Sequence, residues 1–538
     1  GGGPYTALGY MSLHYNQSGG HNTAIGYLAL NGASGQSNSY NVAVGSRAMQ
    51  SITTGDSNVA VGFDSAGALT SGHRNIIIGR NSGAALTTQD DNVIIGYEAG
   101  NDTGGSKAVI IGNYAGDDNS PTNAVIIGYR AGRVIQGENT TAIGYDALKA
   151  ATEPDNTAVG TYALTALVDG ENNTALGIAA GYRIDKGDNS TFLGWYAGYQ
   201  TTGSRNTFVG AEAGQGGTTS APYSSGTNNV AVGYQALDGF TTGGTNVAIG
   251  NSALGALTTA IENVAIGHEA LDSATINGYN TVIGFNAGKG ASNNNYTYNV
   301  LIGRNAGKKS SGDGGDSIYN VGVGNDVLTG LNGGDRNNCI GRAAGDSITT
   351  GARNQLIGVG TDISAVNGQH QIVIGDDLVG TANNRVHLGN STSHIYNDYN
   401  SNATWTHSSD KRQKKDIEKD TLGLDFINDI EPVTYKHKSP SEFPKEWASY
   451  DENNTEPMGG DKTIHGLIAQ NVKEALDKQG VDTFGGWDKG PDGRQNVSFE
   501  SFVLPLINSV KELSSENKEL KDELNELKIL IKKKLGDE

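Results

Sequence analysis

The segment Ser408-Ser409-Asp410-Lys411-Arg412-Gln413-Lys414-Lys415-Asp416 sets two serines just upstream of four basic side chains. A serine hydroxyl becomes a nucleophile beside a base, and a lysine stripped of water can act as one. Ser409 and Lys414 stand five residues apart, so they share neither a helix face nor a strand face. They can meet only through a turn or across two chains. Ser408 and Lys415 are adjacent rivals for the same roles. From spacing alone this is a solvated run of charge.

Little else in the chain has the residue types of a reactive site. No carboxylate pair recurs in a glycosidase-like context. Cys339, the single cysteine, can join neither a disulfide nor a thiolate metal site, and its apolar setting reads as a small buried hydrophobe. No metal or cofactor is expected. Aromatic residues often follow a repeated glycine: Tyr10, Tyr27, Phe63, Tyr97, Tyr129, Tyr145, Trp195, Tyr234 and Phe285. Such a row could bind sugar rings, but stacking between repeats accounts for it without a ligand.

The elements that must carry these residues follow from a repeat. A short apolar run closed by glycine, usually preceded by asparagine, returns about every 17 residues. Examples are Asn22-Thr-Ala-Ile-Gly26, Asn75-Ile-Ile-Ile-Gly79 and Asn92-Val-Ile-Ile-Gly96. One phase-matched glycine per repeat from Gly9 to Gly389 gives 23 copies. Val, Ile, Ala and Thr before each glycine favour extended chain, and glycine suits a corner. A second short segment, Tyr-x-Ala-Leu or Tyr-x-Ala-Gly, follows the corner. Two strands and two turns per repeat would make one coil of a parallel β-roll. Coils ~4.8 Å apart would stack into a rod on the order of 110 Å, with an asparagine ladder along it. The few apolar side chains per coil suggest that one roll alone would enclose a core poorly, and that several would associate.

The period breaks twice, between Gly210 and Gly233 and between Gly303 and Gly324. The excess residues, 215–226 and 308–319, should form projecting loops and are candidate receptor contacts, although simple drift in loop length would also produce them. With 38 basic and 57 acidic residues, the net charge of −19 argues against nucleic acid as a partner. No apolar run approaches the ~20 residues that span a membrane, so no insertion is expected. The chain opens Gly1-Gly2-Gly3-Pro4, which suggests that residue 1 is not the natural start.

The Asn-x-Ala-Ile-Gly repeats of residues 5–390 resemble the head repeats of trimeric autotransporter adhesins. The resemblance implies a left-handed parallel β-roll in a homotrimer; phage fibres use the same roll, so it says little about function. After Gly389 the composition becomes charged and helix-compatible. Ser409-Asp410-x-Arg412-x-Lys414 is followed by Glu431-Pro-Val-Thr-Tyr-Lys436, His465-Gly-Leu-Ile-Ala-Gln-Asn-Val472 and Val497-Ser-Phe-Glu-Ser-Phe-Val-Leu-Pro-Leu-Ile507. In this order they resemble the intramolecular chaperone domain of phage tailspikes and tail fibres, exemplified by endosialidases. That resemblance implies a trimerisation domain that removes itself by autoproteolysis. Ser409 would be the nucleophile and Lys414 its base, the cut would fall between Ser408 and Ser409, and Asp410 and Arg412 would complete the motif.

The expected organisation is therefore mainly β: a roll over 1–390, a connector over 391–408, an α+β chaperone domain over 409–505 and a coiled coil over 506–538. Leu506, Val510, Leu513, Asn517, Leu520, Leu524, Leu527 and Ile531 recur at spacings of three and four, with Asn517 at a core position. The expected function is a structural and adhesive tail fibre or tailspike shaft, assembled in the host cytoplasm and resident in the virion. Its partners would be other tail proteins and a host-surface receptor, for which a polysaccharide is one candidate. A bacterial surface adhesin and a polysaccharide depolymerase are the alternatives.

Overall fold

A computed structural model describes residues 3–536, apart from 103–104, 119–121, 291–295, 310–314, 400–405, 408, 446, 448, 458–460 and 492. It divides into two compact units, residues 1–408 and 409–538. The first is a β-solenoid. Among the described residues, 23 short strands from Thr6–Leu8 to Arg385–Asn390 stack in parallel and in register, each paired with the next. Val59↔Ile76, Ala60↔Ile77 and Val61↔Ile78 are typical neighbours. His394–Asp398 then pairs antiparallel with the last coil, and Thr406–His407 with His394–Asp398.

In all but the last two coils the strand ends just before a glycine at positive φ. Gly79 holds φ +141, and a methyl group there would overlap the carbonyl oxygen of Gly96 in the next coil. The second strand expected in each coil does not form. After the corner the backbone alternates in sign: Asp146 has φ +49 and Leu148 has φ +46. Their N–H groups point in opposite directions along the stack. That of Asp146 reaches Tyr129 O at 3.1 Å, and that of Leu148 reaches Ala163 O at 2.9 Å. The Tyr-x-Ala-Leu segment therefore bonds to both neighbouring coils without extended geometry, which β-propensity cannot signal.

The expectation of a poorly enclosed core is also overturned. One chain buries a continuous core from Leu13 to Leu378. Two positions per coil trade volume. In most coils where the middle of the strand is alanine, as at Ala142, Ala158, Ala231 and Ala248, the fourth residue past the corner is leucine (Leu148, Leu164, Leu237 and Leu254). Ala43, Ala60 and Ala175 are followed instead by Met49, Ala66 and Gly181. Where the strand carries Ile77, Ile126, Phe192 or Phe208, the fourth residue is Gly83, Gly132, Gly198 or Gly214, whose missing side chain makes room for it. Cys339 takes the strand slot of its coil and is buried, as expected.

Asparagine satisfies the polar part of the interior. Asn58 donates its Nδ2 to Asn41 Oδ1 (3.1 Å) and Gly72 O (2.8 Å), and its backbone N–H to Asn41 Oδ1 (2.9 Å). Asn75 and Asn92 repeat the pattern. Buried amide and backbone groups thus find partners one coil away.

The second unit is built around Leu422, Phe426, Val472, Ala475, Leu476 and Phe502. Helix α1 (Leu424–Asn428), helix α2 (Ala469–Gln479) and the long helix α3 (Val503–Leu535) supply it, with short antiparallel pairs Val433–Tyr435/Ile464–Gly466 and Trp487–Lys489/Gln495–Val497. Helix α3 has Pro505 in its first turn, where no internal N–H bond is lost. Its stripe of Leu506, Val510, Leu513, Leu520, Leu524, Leu527 and Ile531 is exposed. Asn517 donates to Leu513 O of its own helix at 3.0 Å.

Candidate self-cleavage site

A 3₁₀ turn, Lys411–Gln413, closes the five-residue gap between Ser409 and Lys414. Asp410 starts that turn, accepting the backbone N–H of Arg412 at 2.8 Å. The Arg412 guanidinium folds back onto the same carboxylate, with Nη2 to Oδ2 at 2.6 Å. These bonds, first from the Arg412 side chain and then from its backbone, hold the Asp410 carboxyl below its ordinary range. The backbone N–H of Lys414 bonds Lys411 O at 3.1 Å, ending the turn and sending Lys414 into extended geometry. Its Nζ lies 2.6 Å from Ser409 Oγ.

The motif's four residues thus have distinct local roles. Asp410 and Arg412 fix the turn, and the turn brings Ser409 to Lys414. Among the described residues Ser409 is met by Lys414, and no hydrogen bond joins it to Lys415. Ser408, on the other side of the expected cut, lies outside the described residues. Ser409, Asp410 and Lys414 are all exposed in the single chain. The ammonium is the donor in the observed contact. To act as a base it must lose a proton, and desolvation favours that.

Further along the unit, the start of α1 is tied to the far end of the chain. Leu424 N–H at the start of α1 donates to Glu512 Oε2 at 2.6 Å, and Asn508 Nδ2 on α3 donates to Leu422 O at 2.9 Å. Sequence reading missed Glu512 and Asn508. Separations of 88 and 86 residues carry no periodic signal. Phe426, Phe484 and Phe502 form the aromatic centre of the unit, with centroids 5.2–6.0 Å apart.

Among the described residues, no three His, Cys, Asp or Glu side chains are grouped to hold a metal, and no helix is long and apolar enough to cross a membrane. Fold and site together define a β-solenoid followed by a small α+β unit with a Ser/Lys turn at its N-terminal edge. Residues 409–481 match the family Peptidase_S74, described as the chaperone of endosialidase, so the chain carries a chaperone-of-endosialidase domain after its solenoid. No curated protein matches the chain.

Proposed function

We propose that the protein is a trimeric fibre shaft, of the kind used in phage tail fibres and tailspikes, whose C-terminal chaperone domain assembles it and then cuts itself away. The observation that carries this reading is the 2.6 Å approach of Lys414 Nζ to Ser409 Oγ inside the segment matching the chaperone family. Trimerisation follows from the family and from the exposed leucine stripe of α3, which a bundle of such helices would bury. Covering the site between chains would also desolvate Lys414, so cleavage would wait for assembly.

In the proposed step, Lys414 accepts the hydroxyl proton while Ser409 Oγ bonds to the carbonyl carbon of Ser408. The Ser408–Ser409 C–N bond then breaks and the amide nitrogen takes a proton, leaving an ester on Oγ. Water hydrolyses the ester, giving a carboxylate on Ser408 and restoring the hydroxyl of Ser409. A nucleophile next to its own scissile bond has most of the required proximity already. The released shaft would reside in the virion and contact other tail proteins and a host receptor.

The test is the intact mass of the purified product. Fragments 1–408 and 409–538 are expected from the parent, with light scattering reporting a trimer. Ser409→Ala and Lys414→Ala should remain whole yet trimeric, and Ser408→Ala should still cut. Processing of Ser409→Ala at the parental rate would refute the assignment.

A further inference from the structure

The insertion after Gly210 and the densest aromatic cluster of the shaft meet at one place. Trp195, Tyr196 and Tyr199 belong to a single coil, with centroids 4.3 Å apart for Trp195–Tyr196 and 4.5 Å for Tyr196–Tyr199. Tyr182, one coil earlier, stacks on Tyr199 at 5.0 Å. The insertion brings Tyr223 to Arg183, whose guanidinium lies 5.2 Å from the Tyr223 ring and 4.8 Å from that of Tyr182.

Coil-to-coil stacking accounts for the run Tyr162–Tyr182–Tyr199, but not for Trp195 and Tyr196. Elsewhere rings meet across coils, as in Tyr129–Tyr145 at 5.4 Å and Tyr279–Tyr298 at 4.8 Å. The Trp195–Tyr196–Tyr199 contacts run within one coil, and of the three rings Tyr199 also reaches the neighbouring coil, at Tyr182. Trp195 is 46% exposed, as are the aromatics in the same slot of other coils, such as Tyr234 at 47%, so its ring face is open to a ligand. The insertion is also held in place. Ser224 is buried, donating its N–H to Gln200 O at 3.0 Å and its Oγ to Phe240 O at 2.7 Å.

Arg183 is held between rings rather than paired with an acid, a setting it shares with Arg80, which lies over Phe63 and Tyr97. Arg47, Arg74, Arg130 and Arg304 each pair with an aspartate of an adjacent coil. Arg183 has no carboxylate partner among the described residues. Its forked donors can take an anion from outside.

We infer that Tyr182, Arg183, Trp195, Tyr196, Tyr199 and Tyr223 form a binding patch for an acidic polysaccharide. Sugar rings would lie with their C–H faces on Trp195 and the tyrosines, hydroxyls would meet the phenols, and a carboxylate would sit on Arg183. The patch spans two coil steps, roughly 10 Å, enough for a disaccharide. The proposal concerns the roll alone and stands whether or not Ser409 cuts.

The test is the full-length chain on an array of bacterial surface polysaccharides that includes neutral and uronic-acid polymers. Binding to acidic members is expected. Trp195→Ala and Tyr223→Ala should each weaken it at least tenfold, and Arg183→Gln should abolish the preference for acidic over neutral members. Failure to bind any member overturns the proposal, as does undiminished binding by Trp195→Ala. So does a Trp195→Ala chain whose oligomeric state by light scattering differs from the parent's, because a second copy would then be the occupant.

Discussion

The solenoid and the C-terminal unit solve the burial of polar and apolar groups over different distances along the chain. In the roll, Asn58 finds its partner 17 residues back and every strand pairs with the next repeat. In the C-terminal unit, α1 is capped from 88 residues away by Glu512. A structure held by neighbours one coil apart loses nothing internally when a distant segment leaves. One whose first helix is capped by its last depends on the whole segment. The lesson is that the roll is the part suited to persist alone. A first coil, however, has no neighbour to stack on, so starting the roll is harder than extending it. A chaperone unit that gathers chains would act on that step.

The largest expected effect separates the two regions by one methyl group. Gly79→Ala should unfold the surrounding coils or cost about 4 kcal/mol or more, because it combines a forbidden φ with overlap on Gly96. Thermal unfolding followed by circular dichroism should show a lower or split shaft transition while the C-terminal helix signal holds. An unchanged transition would mean that the roll tolerates a disrupted ladder.

Next comes the exchange of volume inside the coil. Leu148→Gly alone should cost about 3 kcal/mol through the cavity it leaves, and Ala142→Ile alone about 1–3 kcal/mol through overpacking. Together they reproduce the Ile126/Gly132 arrangement of the preceding coil, and most of the loss should be recovered. Strict additivity would show that the slots are not coupled. No such rescue is available at Phe426, whose neighbours occur once.

The roll's last coil should respond to acid. His387 fills a strand slot, is fully buried, and is pushed down to about 4 by burial, then by His394 and Arg385. Its imidazole is therefore neutral in the folded coil while the unfolded chain protonates near 6.5. Stability should be complete above about pH 6.5 and fall as pH drops toward 4, by up to about 3 kcal/mol. His387→Val should flatten this dependence in hydrogen-exchange protection of Arg385–Asn390. A parent profile already flat between pH 7 and 4.5 would contradict it.

How much of this was legible depends on whether a residue's partner repeats. Gly62, Gly79 and Gly96 could be placed at equivalent corners because the period makes their environment the same. The asparagine ladder followed for the same reason. The leucine–glycine exchange was present in the repeats as well, at Leu148 against Gly132, but a reading focused on strand propensity passed over it. The second strand per coil was misread because alternating positive φ at Asp146 and Leu148 leaves no mark on apolar pattern. At the candidate site, Asp410 as the start of a turn is a local signal, whereas Glu512 on Leu424 is a long-range event that spacing cannot reveal.

The smallest effect sharpens the comparison of glycines. Gly480 ends α2 at φ +67, bonding its N–H to the carbonyls of Asp477 and Leu476, and an added methyl would meet nothing within 4 Å. Its cost is therefore only that of the left-handed conformation, about 1 kcal/mol for Gly480→Ala. The roll itself shows how readily that conformation is met by other residues: Ser57, Asp91 and Asn172 hold φ between +58 and +65. Gly480→Asn should accordingly be close to neutral, since a short amide tolerates this region. The corner glycines differ because they sit near φ +140 and face a carbonyl from the next coil, where asparagine gains nothing. Denaturant unfolding of the uncleaved Ser409→Ala chain, followed through its helical circular dichroism, measures the C-terminal unit, which holds the described α-helices. If Gly480→Asn costs as much as Gly79→Ala costs the shaft, positive φ alone governs both sites, and the carbonyl overlap is not what fixes glycine at the corners.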